Sequence, residues 1–301
     1  MYDVIIIGTG PAGFTAGIYA KRRELKTLII GREIGGQISW AGEIENYPGF
    51  KTIAAFDLIQ KFYEHVTSIG VEVKNEEVIN IEKNEEGFLI KTGLGEYKSK
   101  STILALGMHH RKLNVPGEKE LTGKGVCYCA NCDGPLYKNK TVAVVGGGNC
   151  ALDAAEVLSK IASKVFLIHR DEKLHGFDTL AEEVRTRENI EIHYNAIVSS
   201  IIGENKLEKI EIENKISGKR EEIKIDGLFI EIGKIPQTDL VRNLIDLDKE
   251  GQIIVDEECR TSVPGIFAAG DATNIPYKQI TIASGQGTIA ALAVYKFLQK
   301  A

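Results

Sequence analysis

The sequence predicts an α/β chain of two doubly wound parallel-sheet domains, the second inserted into the first. Three observations carry this. A buried-type strand, a glycine turn, an alanine-rich helix and a second apolar strand follow one another twice. Short stretches elsewhere alternate apolar and polar residues, as half-exposed antiparallel strands do. A late apolar strand ending in Gly-Asp belongs with the first repeat, so the first domain is discontinuous.

In chain order, residues 4–7 (VIII) form the first strand, 8–13 (GTGPAG) the turn, 14–20 the helix start and 27–30 (TLII) the next strand. The strand at 102–107 closes that unit. The second repeat runs through 142–145 (VAVV), 146–151 (GGGNCA), a helical pattern from 152 and the strand 165–168 (VFLI). The strand at 227–233 closes it. Residues 209–213 and 222–225 read as antiparallel strands, and 266–271 (IFAAGD) as the late strand. The expected boundaries are 1–111 with 240–301 for the first domain and 112–239 for the second.

Composition narrows the function. The chain has 301 residues, 43% hydrophobic and 26% charged, the balance of a globular protein, not of a fibrous or disordered one. Its 37 basic and 42 acidic residues give a net charge of −5, with no basic stripe for nucleic acid. No apolar run approaches the ~20 residues of a membrane span. The chain enters a strand at once with no basic leader, so a cytoplasmic protein is expected.

Both glycine turns suit a dinucleotide, which makes the domains Rossmann-like. Gly8 permits the tight turn, Gly10 lets the backbone approach a pyrophosphate, and Gly13 lets helix and strand pack closely. The acid that usually holds a ribose falls near 30–33, where Glu33 is slightly late. Asp271, after Gly270, is expected to cap a helix beginning near 277–280 and to reach a ribityl hydroxyl. Gly146, Gly148 and Ala151 repeat the turn. The strand after it ends at His169-Arg170, where Arg170 suits a 2′-phosphate, but Asp171 and Glu172 follow and repel one. Asp171, Glu172 and Lys173 each read as parts of a solvated turn.

Five cysteines occur, three of them within 127–132 (CYCANC). Cys129 and Cys132 form a C-x-x-C followed by Asp133. At a helix start, two thiols at this spacing can close a disulfide and share an activated thiolate, with Asp133 placed to move a proton. A metal knuckle is the competing reading, with Cys127, His109 or His110 as extra ligands, but no second C-x-x-C exists and no metal is assigned. Cys150 and Cys259 read as buried small residues, and Cys127 as a bystander.

These motifs, with Gly35-Gly36-Gln37 and 45–49 (ENYPG), resemble the low-molecular-weight thioredoxin reductases across nearly the whole chain, and equally the flavoprotein subunit of alkyl hydroperoxide reductase. The resemblance implies an FAD-dependent thioredoxin-disulfide reductase, a homodimer and rotation of one domain against the other. It implies that Cys132 lies nearest the flavin, that Cys129 attacks the partner's disulfide and that Asp133 is the acid/base. It implies FAD held by Gly8, Gly10, Pro11, Ala12, Gly13, Gly35, Gly36, Gln37, Asn46, Gly270, Asp271, Lys278, Gln279 and Ile280. A nicotinamide nucleotide would be held by Gly146, Gly148, Asn149, Ala151, His169 and Arg170.

NADPH-dependent members carry His-Arg-Arg and a later Arg, whereas residues 169–175 here read HRDEKLH. The donor is therefore NADPH or NADH, with weak preference for NADPH, and reduced ferredoxin is the alternative. The acceptor is thioredoxin, or else a glutaredoxin-like protein serving a peroxiredoxin. A flavin-bound redox sensor without turnover is the non-enzyme alternative.

Overall fold

A computed structural model describes residues 1–41 and 43–300. They form two compact units: Met1–Ser39, Tyr47–His109 and Ile235–Ala301 make the first, and Trp40–Asn46 with His110–Lys234 the second. The divisions fall a few residues from the expected 111/112 and 239/240. Backbone hydrogen bonds show why. Arg111 N donates to Gly233 O within the second unit, whereas Gln237 N donates to Gly107 O within the first. The short strand Glu43–Ile44 packs against the helical turn Ala130–Asp133, which explains why residues 40–46 cluster with the second unit.

In the first unit, the described residues form a seven-stranded sheet. Tyr2–Ile7 lies between Thr27–Ile30 and Glu96–Leu104, parallel to both. Glu72–Lys74 extends the sheet beyond Thr27–Ile30, and Ile266–Ala268 pairs in parallel with Glu96–Leu104 as the sequence pattern anticipated. Gly87–Thr92 and Val78–Asn84 add an antiparallel meander. Strand side chains alternate between faces. Val4, Ile6, Ile29 and Ile103 therefore join one core cluster, and Ile5, Ile7, Leu28, Ile30 and Leu104 the other. Burial on both faces is why these strands read as unbroken apolar runs.

The helices Pro11–Arg22 and Ile280–Leu298 pack together on the first of those faces. Small residues permit this. A Cβ on Gly287 would strike the backbone of Ala12.

The second unit has a parallel five-stranded sheet in the order Val126–Cys127, Gly227–Ile230, Thr141–Val145, Lys164–Ile168, Ile190–His193. Its covering differs by face. The helix Asn149–Ser159 packs Leu152, Ala155 and Leu158 against Val142, Val144 and Phe229. The antiparallel strands Ala196–Ile202, Lys209–Asn214 and Arg220–Lys224 bring Val198, Ile210 and Ile223 against Val145, Leu228 and Ile230. No helix among the described residues is long and apolar enough to cross a membrane.

Candidate active site

The first glycine turn divides its labour among three residues. Gly8 has φ +124°, and a Cβ there would strike Ala105 O, while a Cβ on Gly13 would strike Gly8 O. These two positions serve tight packing. Gly10 is different. It is the N-cap of Pro11–Arg22, it makes no side-chain cap, and nothing lies within 4 Å of where its Cβ would be. The orphan N–H groups of the first helical turn thus look out past an open backbone, as an anion site requires.

Tertiary folding brings the other first-unit candidates to this turn. Gly35 N donates to Thr9 O at 2.8 Å, and a Cβ on Gly36 would sit 3.5 Å from Gly10 Cα. Gln37 Nε2 donates to Asp271 Oδ2 at 2.7 Å. Gly270 lies against Ala12, whose Cβ would be 3.0 Å from one added there. The expected helix cap is corrected: the N-cap of Ile280–Leu298 is Gln279, not Asp271, because the helix starts nine residues later at Ile280. Lys278 Nζ donates to Gln252 Oε1 and Thr273 O, bracing the loop before that helix. Asn46 falls with the second unit. Glu33 is exposed and pairs with Arg32.

The second turn repeats the geometry. Gly146 has φ +147° and its Cβ would strike Glu231 O, whereas Gly148, the N-cap of Asn149–Ser159, has nothing within 4 Å. Residues 169–177 fold over it. His175 N donates to Gly147 O, and Phe177 N donates to Asn149 Oδ1, both at 2.7 Å. The His169 ring is buried against Gly147, and its Nε2 lies 2.8 Å from Lys173 O. A carbonyl only accepts, so Nε2 carries the proton; burial keeps the ring's pKa low. Arg170 points outward with its side chain 75% exposed, and its Nε is 3.5 Å from Asp171 Oδ2. Asp171 also pairs with His175 Nε2 at 3.0 Å, and that hydrogen bond holds it below the usual carboxylate range. Asp171 is therefore engaged with both Arg170 and His175, more than the solvated turn residue its sequence context suggests.

Cys129 and Cys132 are joined in a disulfide with Cα atoms 5.3 Å apart. The backbone shapes this directly. Cys132 N and Asp133 N both donate to Cys129 O, closing the single turn Ala130–Asp133. The expected helix start is present, with Cys129 as its N-cap, and the turn passes into the 3-10 segment Gly134–Tyr137. Asp133 is buried, and burial lifts its carboxyl to about 6 while an interaction with the Cys127 thiol partly offsets the rise. Cys127 Sγ lies 3.4 Å from Tyr137 Oη, and burial pushes its own thiol well up. The Cys127 thiol thus sits beside the Tyr137 hydroxyl, buried behind the redox pair. Cys259 is buried as expected, but Cys150, in the first turn of its helix, is exposed. Among the described residues, the one cluster spaced to hold a metal is His169, Asp171 and His175; the C-x-x-C is not part of it.

A pyridine nucleotide-disulphide oxidoreductase family profile matches residues 2–287. The thioredoxin reductase of Bacillus subtilis is 40% identical over 302 residues, covering 100% of this chain and 96% of that protein. A subunit of the alkyl hydroperoxide reductase of Pseudomonas putida is 37% identical over 307 residues, covering 99% of this chain but 58% of that protein. The crystal structure of a thioredoxin reductase from Streptococcus pyogenes superposes with a TM-score of 0.96 at 38% identity, covering 100% and 99% of the two chains.

The chain belongs to the pyridine nucleotide-disulphide oxidoreductase family. It is an FAD-dependent disulfide reductase that also takes a nicotinamide cofactor, with the two-domain architecture of the thioredoxin reductases. The open Gly10 and Gly148 faces, each before an uncapped helix, fit a pyrophosphate in either unit of this oxidoreductase.

Three residues escape a reading of the sequence. Gln286 Oε1, buried on the C-terminal helix, accepts from Gly270 N at 2.8 Å and fixes the Gly-Asp turn. Its signal is a lone amide between two glycines, Gly285 and Gly287, in an otherwise largely apolar helix. Glu118 is buried and accepts from Leu113 N, Asn114 N and Tyr128 Oη, anchoring the chain just before Cys129. Glu231 accepts from Ala130 N, and burial lifts its carboxyl to about 7. Neither glutamate has a local signal.

Proposed function

We propose that this reductase passes electrons from NADPH or NADH, through FAD and the Cys129–Cys132 disulfide, to thioredoxin. The observation that carries this is the formed disulfide followed directly by a buried carboxyl, within the unit that holds the second dinucleotide turn. FAD, when bound, supplies two-electron transfer to the disulfide. Gly10, Gly13, Gly36, Gln37 and Asp271 hold it in the first unit, and Gly146, Gly148, Ala151 and Arg170 hold the nicotinamide nucleotide in the second.

The protein's own chemistry is thiol–disulfide exchange. In the reduced pair, the Cys129 thiolate attacks one sulfur of the thioredoxin disulfide, forming a mixed disulfide and expelling a thiolate. Cys132 then attacks Cys129 Sγ, reforming the internal disulfide and releasing the second thioredoxin sulfur. Asp133 delivers the proton to the leaving sulfur and regains one when the pair is next reduced; a pKa near 6 suits both directions. Cys132 serves the flavin side. The enzyme is read as a cytoplasmic homodimer.

Arg170 remains as the outward cation for a 2′-phosphate, and Asp171 offsets part of its charge. Discrimination between NADPH and NADH is therefore weak. Anaerobic flavin bleaching with NADPH, NADH and reduced ferredoxin in parallel tests the donor. Bleaching by both nucleotides at comparable concentrations is expected; bleaching by ferredoxin alone overturns it. A Cys132→Ser variant should trap thioredoxin on Cys129. Trapping only a glutaredoxin-like protein would assign the enzyme to peroxide defence instead.

A further inference from the structure

Glu231 follows the strand Gly227–Ile230, and its backbone lies against Gly146. Its Oε1 accepts from Ala130 N at 3.3 Å. That N–H belongs to the peptide bond joining Cys129 to Ala130. The same peptide's carbonyl, Cys129 O, is held by Cys132 N and Asp133 N. Glu231 therefore grips the other side of the peptide that sets Cys129, and it does so from beside the second glycine turn.

We propose that Glu231 is a positioning residue for the redox pair, holding Cys129 through the Ala130 amide and setting by its own charge how readily the Cys129 thiolate forms. The inference rests on the reading that Cys129 is the exchanging sulfur. A carboxylate one peptide away disfavours a second negative charge, whereas the neutral acid does not. The charges around Glu231 come from three elements: Asp133 in the cysteine turn, Asp153 and the Cys150 thiol on the helix Asn149–Ser159, and Lys234 beyond its own strand. Burial lifts the carboxyl to about 7; the Ala130 N–H and Lys234 favour its charged form, and Asp153 and Asp133 oppose them. Glu231 thus changes charge within the working pH range.

The test measures alkylation of the reduced holoenzyme by iodoacetamide between pH 5 and 9, with the labelled cysteine identified by peptide mapping. In the native enzyme, labelling of Cys129 is expected to show an inflection near pH 7 besides that of the thiol itself. Glu231→Gln keeps the acceptor oxygen and loses the charge. It should abolish that inflection and lower the thiolate pKa by about one unit, making labelling near pH 7 about tenfold faster. Glu231→Ala loses the grip as well and should also slow thioredoxin turnover. Lys234→Met offers a second approach that leaves Glu231 in place, and should move the inflection upward. Identical Cys129 profiles in all four proteins, each with its full flavin absorbance, would overturn the role of Glu231 alone. Label on Cys132 would overturn the assignment of the exchanging sulfur and this proposal with it.

Discussion

Gln37 and Asp271 are 234 positions apart in the chain, yet Gln37 Nε2 donates to Asp271 Oδ2 at 2.7 Å. The bond ties the 3-10 turn after the second strand to the loop before the C-terminal helix, and so joins the first and last of the three chain segments of the first unit. Its donor orients a carboxylate expected to face the flavin ribityl chain. Gln37→Leu should therefore weaken FAD binding about tenfold, the effect of losing one hydrogen bond to a charged group. Titrating apoprotein with FAD by fluorescence measures it. Unchanged affinity would remove Asp271 from the site.

The glycines of the first turn should separate by function. Gly13→Ala drives a methyl into Gly8 O, and the variant should be destabilised by several kcal/mol or fail to accumulate. Gly10→Ala meets no protein atom within 4 Å. It should melt like the native apoprotein but bind FAD far more weakly. Melting curves of both apoproteins, with and without FAD, decide this; equal stability losses would defeat the distinction.

Asp133 makes two predictions with opposite consequences. Asp133→Asn should lower thioredoxin turnover by about 10²–10⁴, the usual worth of a general acid/base. It should also remove the pH dependence near 6 from single-turnover exchange. For stability the sign reverses. The folded-state pKa of about 6 is raised above 3.8, so the native protein binds protons more tightly than the unfolded chain does. That contribution is complete below about pH 4 and is lost as pH rises through 6. A rise of this size corresponds to at most about 3 kcal/mol, so Asp133→Asn should be more stable than native above pH 7 and level with it near pH 4. Denaturant melts at both pH values report this. A variant that is less stable at pH 8 would show that Asp133 is held by charge interactions instead of merely buried.

Arg170 and Asp171 should move donor preference in opposite directions. Arg170→Ala should weaken NADPH about tenfold and leave NADH nearly unchanged. Asp171→Ala removes a negative charge beside Arg170 and His175 and should strengthen NADPH about three- to tenfold, an exposed and screened effect that shrinks in high salt. KM values for both nucleotides at low and high ionic strength test the pair. If neither ratio moves, residues 169–175 do not read the 2′-phosphate.

Local pattern alone determined the two glycine turns, the strands around them, the C-x-x-C with its aspartate and the return of the chain to its first sheet at residues 266–268. Each leaves its mark on a few consecutive residues: glycine where the backbone is crowded, unbroken apolar runs where both sheet faces are covered. Tertiary structure alone decided that Gln37 meets Asp271, that Gln286 pins Gly270, that Cys127 meets Tyr137 and that Glu231 reaches the Ala130 amide. Those groups come from distant strands or opposite sides of a turn. Their protonation and orientation follow from shared burial, which no spacing along the chain encodes.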